Sequence, residues 1–278
     1  MQGAEANATP EVLTTTTDAS GVARMRFQAG YVPGTATITA RCPENCSGTA
    51  TIVVAEQDSA PMVLAFSRDE PFDVELPLGG NYDVTVEWID ASGNVATTEA
   101  SSGGASAQRS LDAGSWIVLV SGSAETFGSE GWTGVDELDA IHAWGNLGWT
   151  SFSSALAGAE RNVQVPANLP PTVRDLTVMF LDAEAFNRDV STWDVSNVVK
   201  FGEMFKRAEA FNNGCAVGVY DCPLDWTQIG ATTANNVDMN RMFATNVGKA
   251  MSFNQSVDTW DLRHVSDLNH LFERNDAF

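Results

Sequence analysis

Apolar positions along the chain change their period near its middle. Before residue 128 apolar and small polar residues alternate over short stretches, the two-residue period of half-buried strands. Such stretches occur at 23–27, 35–39, 50–54, 63–66, 72–76, 82–89 and 116–120, with turn signals at 18–21, 30–34, Pro43 and 90–94. Residues 56–61 read as a linker and the Ser/Ala/Gly run at 100–107 as a flexible loop.

From residue 144 onward the chain repeats itself. Met179-Phe180 recurs as Met204-Phe205, Met242-Phe243 and Leu271-Phe272; Phe186-Asn187 as Phe211-Asn212 and Phe253-Asn254; Trp193 as Trp226 and Trp260. Where nothing interrupts, the spacing is 25 residues: 179 to 204, 186 to 211, 253 to 278. A fixed period of this size indicates stacked repeats. Aligned on the tryptophan, Trp144 opens an earlier, divergent copy, with Trp149, Phe152 and Leu156 in the slots of Val198, Phe201 and Phe205. Two insertions leave the register intact. Phe211 to Trp226 spans 15 residues where other copies use 7, and Trp226 to Met242 spans 16 where others use 11. Insertions of this kind belong in loops on one face of the stack.

Within a copy, Val198, Phe201, Met204, Phe205 and Ala208 fall on one face of a helix, with Ser196 placed as its N-cap. Residues 190–195 read as a short strand. The predicted fold is therefore multidomain: β-sandwich modules followed by an α/β leucine-rich-repeat-like solenoid with coils of 25 residues. The predicted boundaries are 1–56, 57–128 and 129–278. Trp144, Trp193, Trp226 and Trp260 share one slot and Phe180, Phe205, Phe243 and Phe272 another, and both sets are expected in the core. Trp132 lies outside the register and is expected at the surface. The asparagine after each phenylalanine reads equally as a ladder of side-chain bonds between copies or as a turn residue. Because residue 278 falls where a further copy would begin, the chain reads as a segment of a longer one.

The run at 179–198, Met-Phe…Ala…Phe-Asn-x-Asp-Val-Ser-x-Trp-Asp-Val-Ser-Asn-Val, resembles the BspA-like surface-protein repeats found also in mycoplasma lipoproteins. Thr17-Asp-Ala-Ser-Gly-Val-Ala23 with Pro33-Gly-Thr-Ala-Thr-Ile-Thr-Ala40 is similar to the C-terminal half of an invasin-type bacterial immunoglobulin-like domain. Tyr82-Asp-Val-Thr-Val-Glu-Trp88 with 114–122 resembles a polycystic-kidney-disease-type β-sandwich. The BspA-like resemblance implies attachment to host or matrix proteins.

Charge narrows the partners. With 36 acidic against 15 basic residues the net charge is −21. The excess is spread over both halves, −11 in residues 1–128 and −10 in 129–278. Such a field repels phosphate backbones and anionic membranes, so nucleic acid is excluded as a partner. No stretch has the roughly 20 continuous apolar residues of a membrane span. The expected partner is a surface or matrix protein, or a glycan, at the cell surface or outside the cell.

The four cysteines form two local pairs, Cys42 with Cys46 and Cys215 with Cys222. Disulfides are favoured over zinc, because the spacings fit no usual finger; that choice places the chain in an oxidising compartment. The three histidines, His142, His264 and His270, occupy slots that are polar in sister copies and read as surface decoration. Asp194 and Asp261 follow the repeat tryptophan. They could line up to bind calcium, the one cofactor raised, or each could cap a turn. No nucleophile elbow, phosphate loop, dinucleotide fingerprint or His-Glu-x-x-His occurs. The function expected is non-enzymatic adhesion or binding through the repeat surface. The alternatives are a structural spacer or coat protein, or an accessory region of a larger secreted hydrolase.

Overall fold

The alternating stretches become strands because one face of each can be buried. A computed structural model of the chain describes residues 60–232 and 236–278, together with the strand backbones at 34–41 and 47–54. The chain divides into two units, Met1–Glu56 and Gln57–Phe278. In the first, β1 (Gly34–Arg41) and β2 (Ser47–Val54) pair antiparallel, from Gly34 opposite Val54 to Arg41 opposite Ser47. Cys42 and Cys46 lie outside the described residues.

The second unit opens with β3 (Met62–Arg68), β4 (Phe72–Glu75), β5 (Leu78–Asp90), β6 (Val95–Ser101), β7 (Gln108–Leu111), β8 (Gly114–Phe127) and β9 (Leu138–Ala143). Five of them form a sheet in the order β6-β5-β8-β3-β9, and β4 pairs with β7. The two-residue period is visible in β4, where Phe72 and Val74 are buried while Asp73 and Glu75 are exposed. β9 pairs antiparallel with β3, so the sheet is completed by residues that follow Trp132 in the chain. Trp132 itself is not at the surface. It is buried, stands edge-on to Phe66 and Phe127, and donates its indole N–H to the Ala155 carbonyl at 2.9 Å. A large ring outside the repeat register is needed there to fill the joint between the sheet and the first copy. One hydrophobic core runs from Met62 to Phe253 across that joint.

The expected α/β leucine-rich-repeat-like solenoid is overturned. Among the described residues there is no α-helix, and the one helical piece is a 3-10 turn at Leu262–His264. Residues 57–278 are instead one mostly β unit in which the copies are built from successive turns. The hydrogen bonds give the reason. The N–H groups of Leu176, Val178, Phe180 and Asp182 donate to the carbonyls of Lys200, Gly202, Met204 and Lys206 in the next copy, at 2.8–3.0 Å. The intervening N–H groups of Met179, Leu181 and Ala183 turn back three residues, to Leu176, Val178 and Phe180. An α-helix keeps all such bonds inside itself; here every second one leaves for a neighbour. The residue ahead of each Met-Phe slot is left-handed: Val178 (φ 50°), Glu203 (56°), Arg241 (52°) and His270 (60°). That conformation, recurring in every copy, is incompatible with a continuous right-handed helix. Ser196, expected as an N-cap, is buried, and its N–H donates to Asp194 Oδ1.

The inter-copy bonds continue with Phe205 N–H to Met242 O and Phe243 N–H to Leu271 O. A column of parallel bridges joins Thr126 to Ser151, Ser151 to Asp175, Asp175 to Lys200 and Lys200 to Asp238. It passes into β10 (Val237–Asp238) paired with β11 (Val265–Asp267). The end of β8 therefore supplies the first rung for the copies. Phenylalanine rings lie face to face along the core: Phe205 on Phe180 at 5.2 Å, Phe243 on Phe205 at 5.5 Å, Phe272 on Phe243 at 5.4 Å. No helix among the described residues is long and apolar enough to cross a membrane.

Candidate binding surface

The insertion between Phe211 and Trp226 is the part of the repeat region that departs most from its sister copies. It begins with Asn212-Asn213 and ends at Asp225. Cys215 and Cys222 are joined by a disulfide, with Cα atoms 5.9 Å apart. Gly214 and Gly218 take positive φ (84° and 80°), which lets the loop reverse within so few residues.

Four side-chain amides hold the loop from below. Asn187 Nδ2 donates to Cys215 O at 2.8 Å. Asn212 Nδ2 donates to Ala216 O and Val219 O at 3.0 and 3.2 Å. Asn213 Nδ2 donates to Cys222 O and Pro223 O at 3.1 and 3.0 Å. Gln255, from the next copy, donates to Val219 O at 2.6 Å and accepts the Cys222 N–H at 2.9 Å. Asn212, Asn213 and Gln255 are at most 1 % exposed, so the cradle is a satisfied polar layer inside the protein. With the carbonyls turned inward, the apolar side chains face out: Val217 is 77 % exposed, Tyr220 65 % and Val219 42 %.

The same asparagines tie the copies together. Asn162 Oδ1 accepts the Asn187 N–H, Asn187 Oδ1 the Asn212 N–H, and Asn212 Oδ1 the Asn254 N–H, at 2.9, 2.9 and 3.1 Å. Of the two readings of the recurrent asparagine, the ladder is what forms. The cradling role of Asn213 and Gln255 was not foreseen. Its signal was there: a doublet of amides, Asn212-Asn213 and Asn254-Gln255, replaces the Asn187-Arg188 of the regular copy.

The remaining candidates lie elsewhere. Trp144, Trp193 and Trp226 are buried, as are Phe180, Phe205 and Phe243; Trp260 and Phe272 in the last copy are half-buried. The indole N–H of Trp193, Trp226 and Trp260 each donates to a carbonyl of the preceding copy, those of Pro166, Val190 and Leu224. Asp194 and Asp261 each close a short turn, on the N–H of Ser196 and of Arg263. Hydrogen bonds from Arg263 hold the Asp261 carboxyl down to about 2. His142 and His270 are exposed and His264 is half-buried. Among the described residues, no three His, Cys, Asp or Glu side chains gather closely enough to hold a metal ion. Lys249 reaches Glu209 at 2.6 Å and Glu184 at 3.0 Å, and those bonds raise its pKa.

A family described as "Mycoplasma protein of unknown function, DUF285" matches residues 148–222 and 225–278, just under half of the chain. Over those residues the chain is similar to that family. No curated protein and no solved structure matches it. With no α-helix among the described residues, this finding replaces the BspA-like leucine-rich-repeat assignment. The invasin-type immunoglobulin-like and polycystic-kidney-disease-like resemblances find no support in these matches. The two matched stretches meet within the insert, at residues 223–224.

Proposed function

We propose that this chain is a non-enzymatic binding protein, secreted or displayed at the cell surface, that contacts another protein through its repeat region. The observation that carries this reading is the insert, which holds Val217, Val219 and Tyr220 in solvent on a cross-linked, hydrogen-bonded frame. Ordering a loop before contact removes part of the entropy that association otherwise costs. Three large apolar side chains exposed within four residues form a local patch of the kind that marks a contact site. The disulfide favours an oxidising compartment, and the net charge of −21 disfavours nucleic acid.

The test is equilibrium binding of the intact chain to purified cell-surface and matrix proteins and to a glycan array, at about 150 mM salt so that exposed charges are screened. Saturable binding to a protein is expected. Glycan binding alone would favour an accessory region of a secreted hydrolase, and no binding would favour a spacer. Deleting 129–278 is unsuitable as a control, because it removes β9 and Trp132 from the core they complete.

A further inference from the structure

We infer that the tip of the insert, residues 217–221, docks as a knob into an apolar pocket rimmed by basic residues on the partner protein. This rests on the binding reading above and adds the chemistry of the contact. Three features of the loop define the complement. First, the carbonyls of Cys215, Ala216, Val219, Cys222 and Pro223 are all taken by Asn187, Asn212, Asn213 and Gln255. Those five carbonyls are closed to a partner strand, which shifts recognition toward the side chains of the loop. Second, the exposed side chains at the tip are Val217, Val219 and Tyr220, around a Gly218 with open space where a side chain would stand. A convex apolar surface of this kind is matched by a concave apolar one, with the tyrosine as anchor. Third, the only charged residues from Asn212 to Trp226 are Asp221 and Asp225, both exposed, and Asp189 packs against the base of the loop at Gly214. An acidic fringe on a chain of net charge −21 selects a cationic rim by complementarity and repels an acidic one.

The experiment pans a phage-displayed random dodecapeptide library on the immobilised intact chain. Synthetic copies of the enriched peptides are then titrated against the wild type and against Val217→Asp, Tyr220→Asp and Val247→Asp. The first two place a charge in the tip. The third places one at another exposed valine, 79 % accessible, outside the insert. All three positions face solvent, so circular dichroism and Tm should match the wild type. The expected result is enrichment of apolar peptides carrying Lys or Arg. Their Kd should weaken about tenfold or more in the two tip variants, as for a lost hot-spot contact, be unchanged in Val247→Asp, and weaken with added salt. Enrichment of acidic or uncharged polar peptides, equal binding to all variants, or no enrichment would overturn the inference. So would tip-dependent binding to phosphatidylcholine vesicles in place of peptides. If the chain binds purified proteins with tip variants unchanged, this inference fails and the binding reading stands. If it binds no protein at all, the binding reading fails first.

Discussion

The side-chain oxygen of Asn187 accepts the backbone N–H of Asn212, 25 residues later, at 2.9 Å. Asn212 then repeats the act on Asn254 while its amide nitrogen holds the insert. One side chain thus couples the spacing of the copies to the shape of the loop. Replacing Asn212 by alanine strands the Asn254 N–H and takes one of two partners from the Ala216 and Val219 carbonyls and from the Gln255 amide. With one buried group left unpaired and three others weakened, Asn212→Ala should cost about 1–3 kcal/mol. Urea unfolding should show a lower midpoint with an unchanged slope; a midpoint within error of the wild type would mean that the ladder carries no weight.

Phe205 lies between Phe180 and Phe243 at 5.2 and 5.5 Å and touches Phe211 at 3.9 Å, fully buried. Phe205→Ala should cost about 3–5 kcal/mol. Trp260 shares the tryptophan slot of the copies but is only half-buried. Trp260→Ala should therefore cost clearly less than Trp226→Ala, whose ring is 1 % exposed. Equal losses by chemical denaturation would contradict the difference in burial.

Val178 is a β-branched residue at φ 50°, a conformation that L side chains adopt at a cost of roughly 1–2 kcal/mol. Asparagine tolerates it better. Val178→Asn should raise Tm by a few degrees, as a gain of about 1 kcal/mol would. A fall in Tm would mean that the half-buried valine contributes more by packing than it loses by strain.

Asp261 titrates near 2 in the folded chain, against an ordinary value near 3.8, because Arg263 hydrogen-bonds its carboxylate. A depressed folded pKa gives stability that is present above the unfolded pKa and lost as pH falls through the folded one. The advantage of wild type over Asp261→Asn should hold at neutral pH and vanish between about pH 4 and pH 2. It should also be small and shrink with salt, since Arg263 is largely exposed. A carboxyl NMR titration placing Asp261 near its ordinary value would remove the premise.

The 25-residue register was readable because side chains that stack must be alike, and Phe180, Phe205 and Phe243 advertise their slot by identity. Spacings of three, three, one and three suit two backbones. Val198, Phe201, Met204, Phe205 and Ala208 are all buried, and a chain of three-residue turns buries them as well as a helix face does. The burial of Trp132 is not legible in the sequence for a related reason: its partners, Phe66 and the Ala155 carbonyl, are distant along the chain. The cradle of Asn213 and Gln255 depends on two copies meeting over one loop.

The sequence by itself determined which side chains point inward and at what interval, since burial of like residues is a local and periodic property of the chain. Only the tertiary structure decided where the backbone hydrogen bonds go. Whether the Phe180 N–H turns back along its own segment or crosses to Met204 depends on a neighbouring copy already standing beside it. That choice, made between residues 24 apart in sequence rather than four, is what replaced helices with stacked turns.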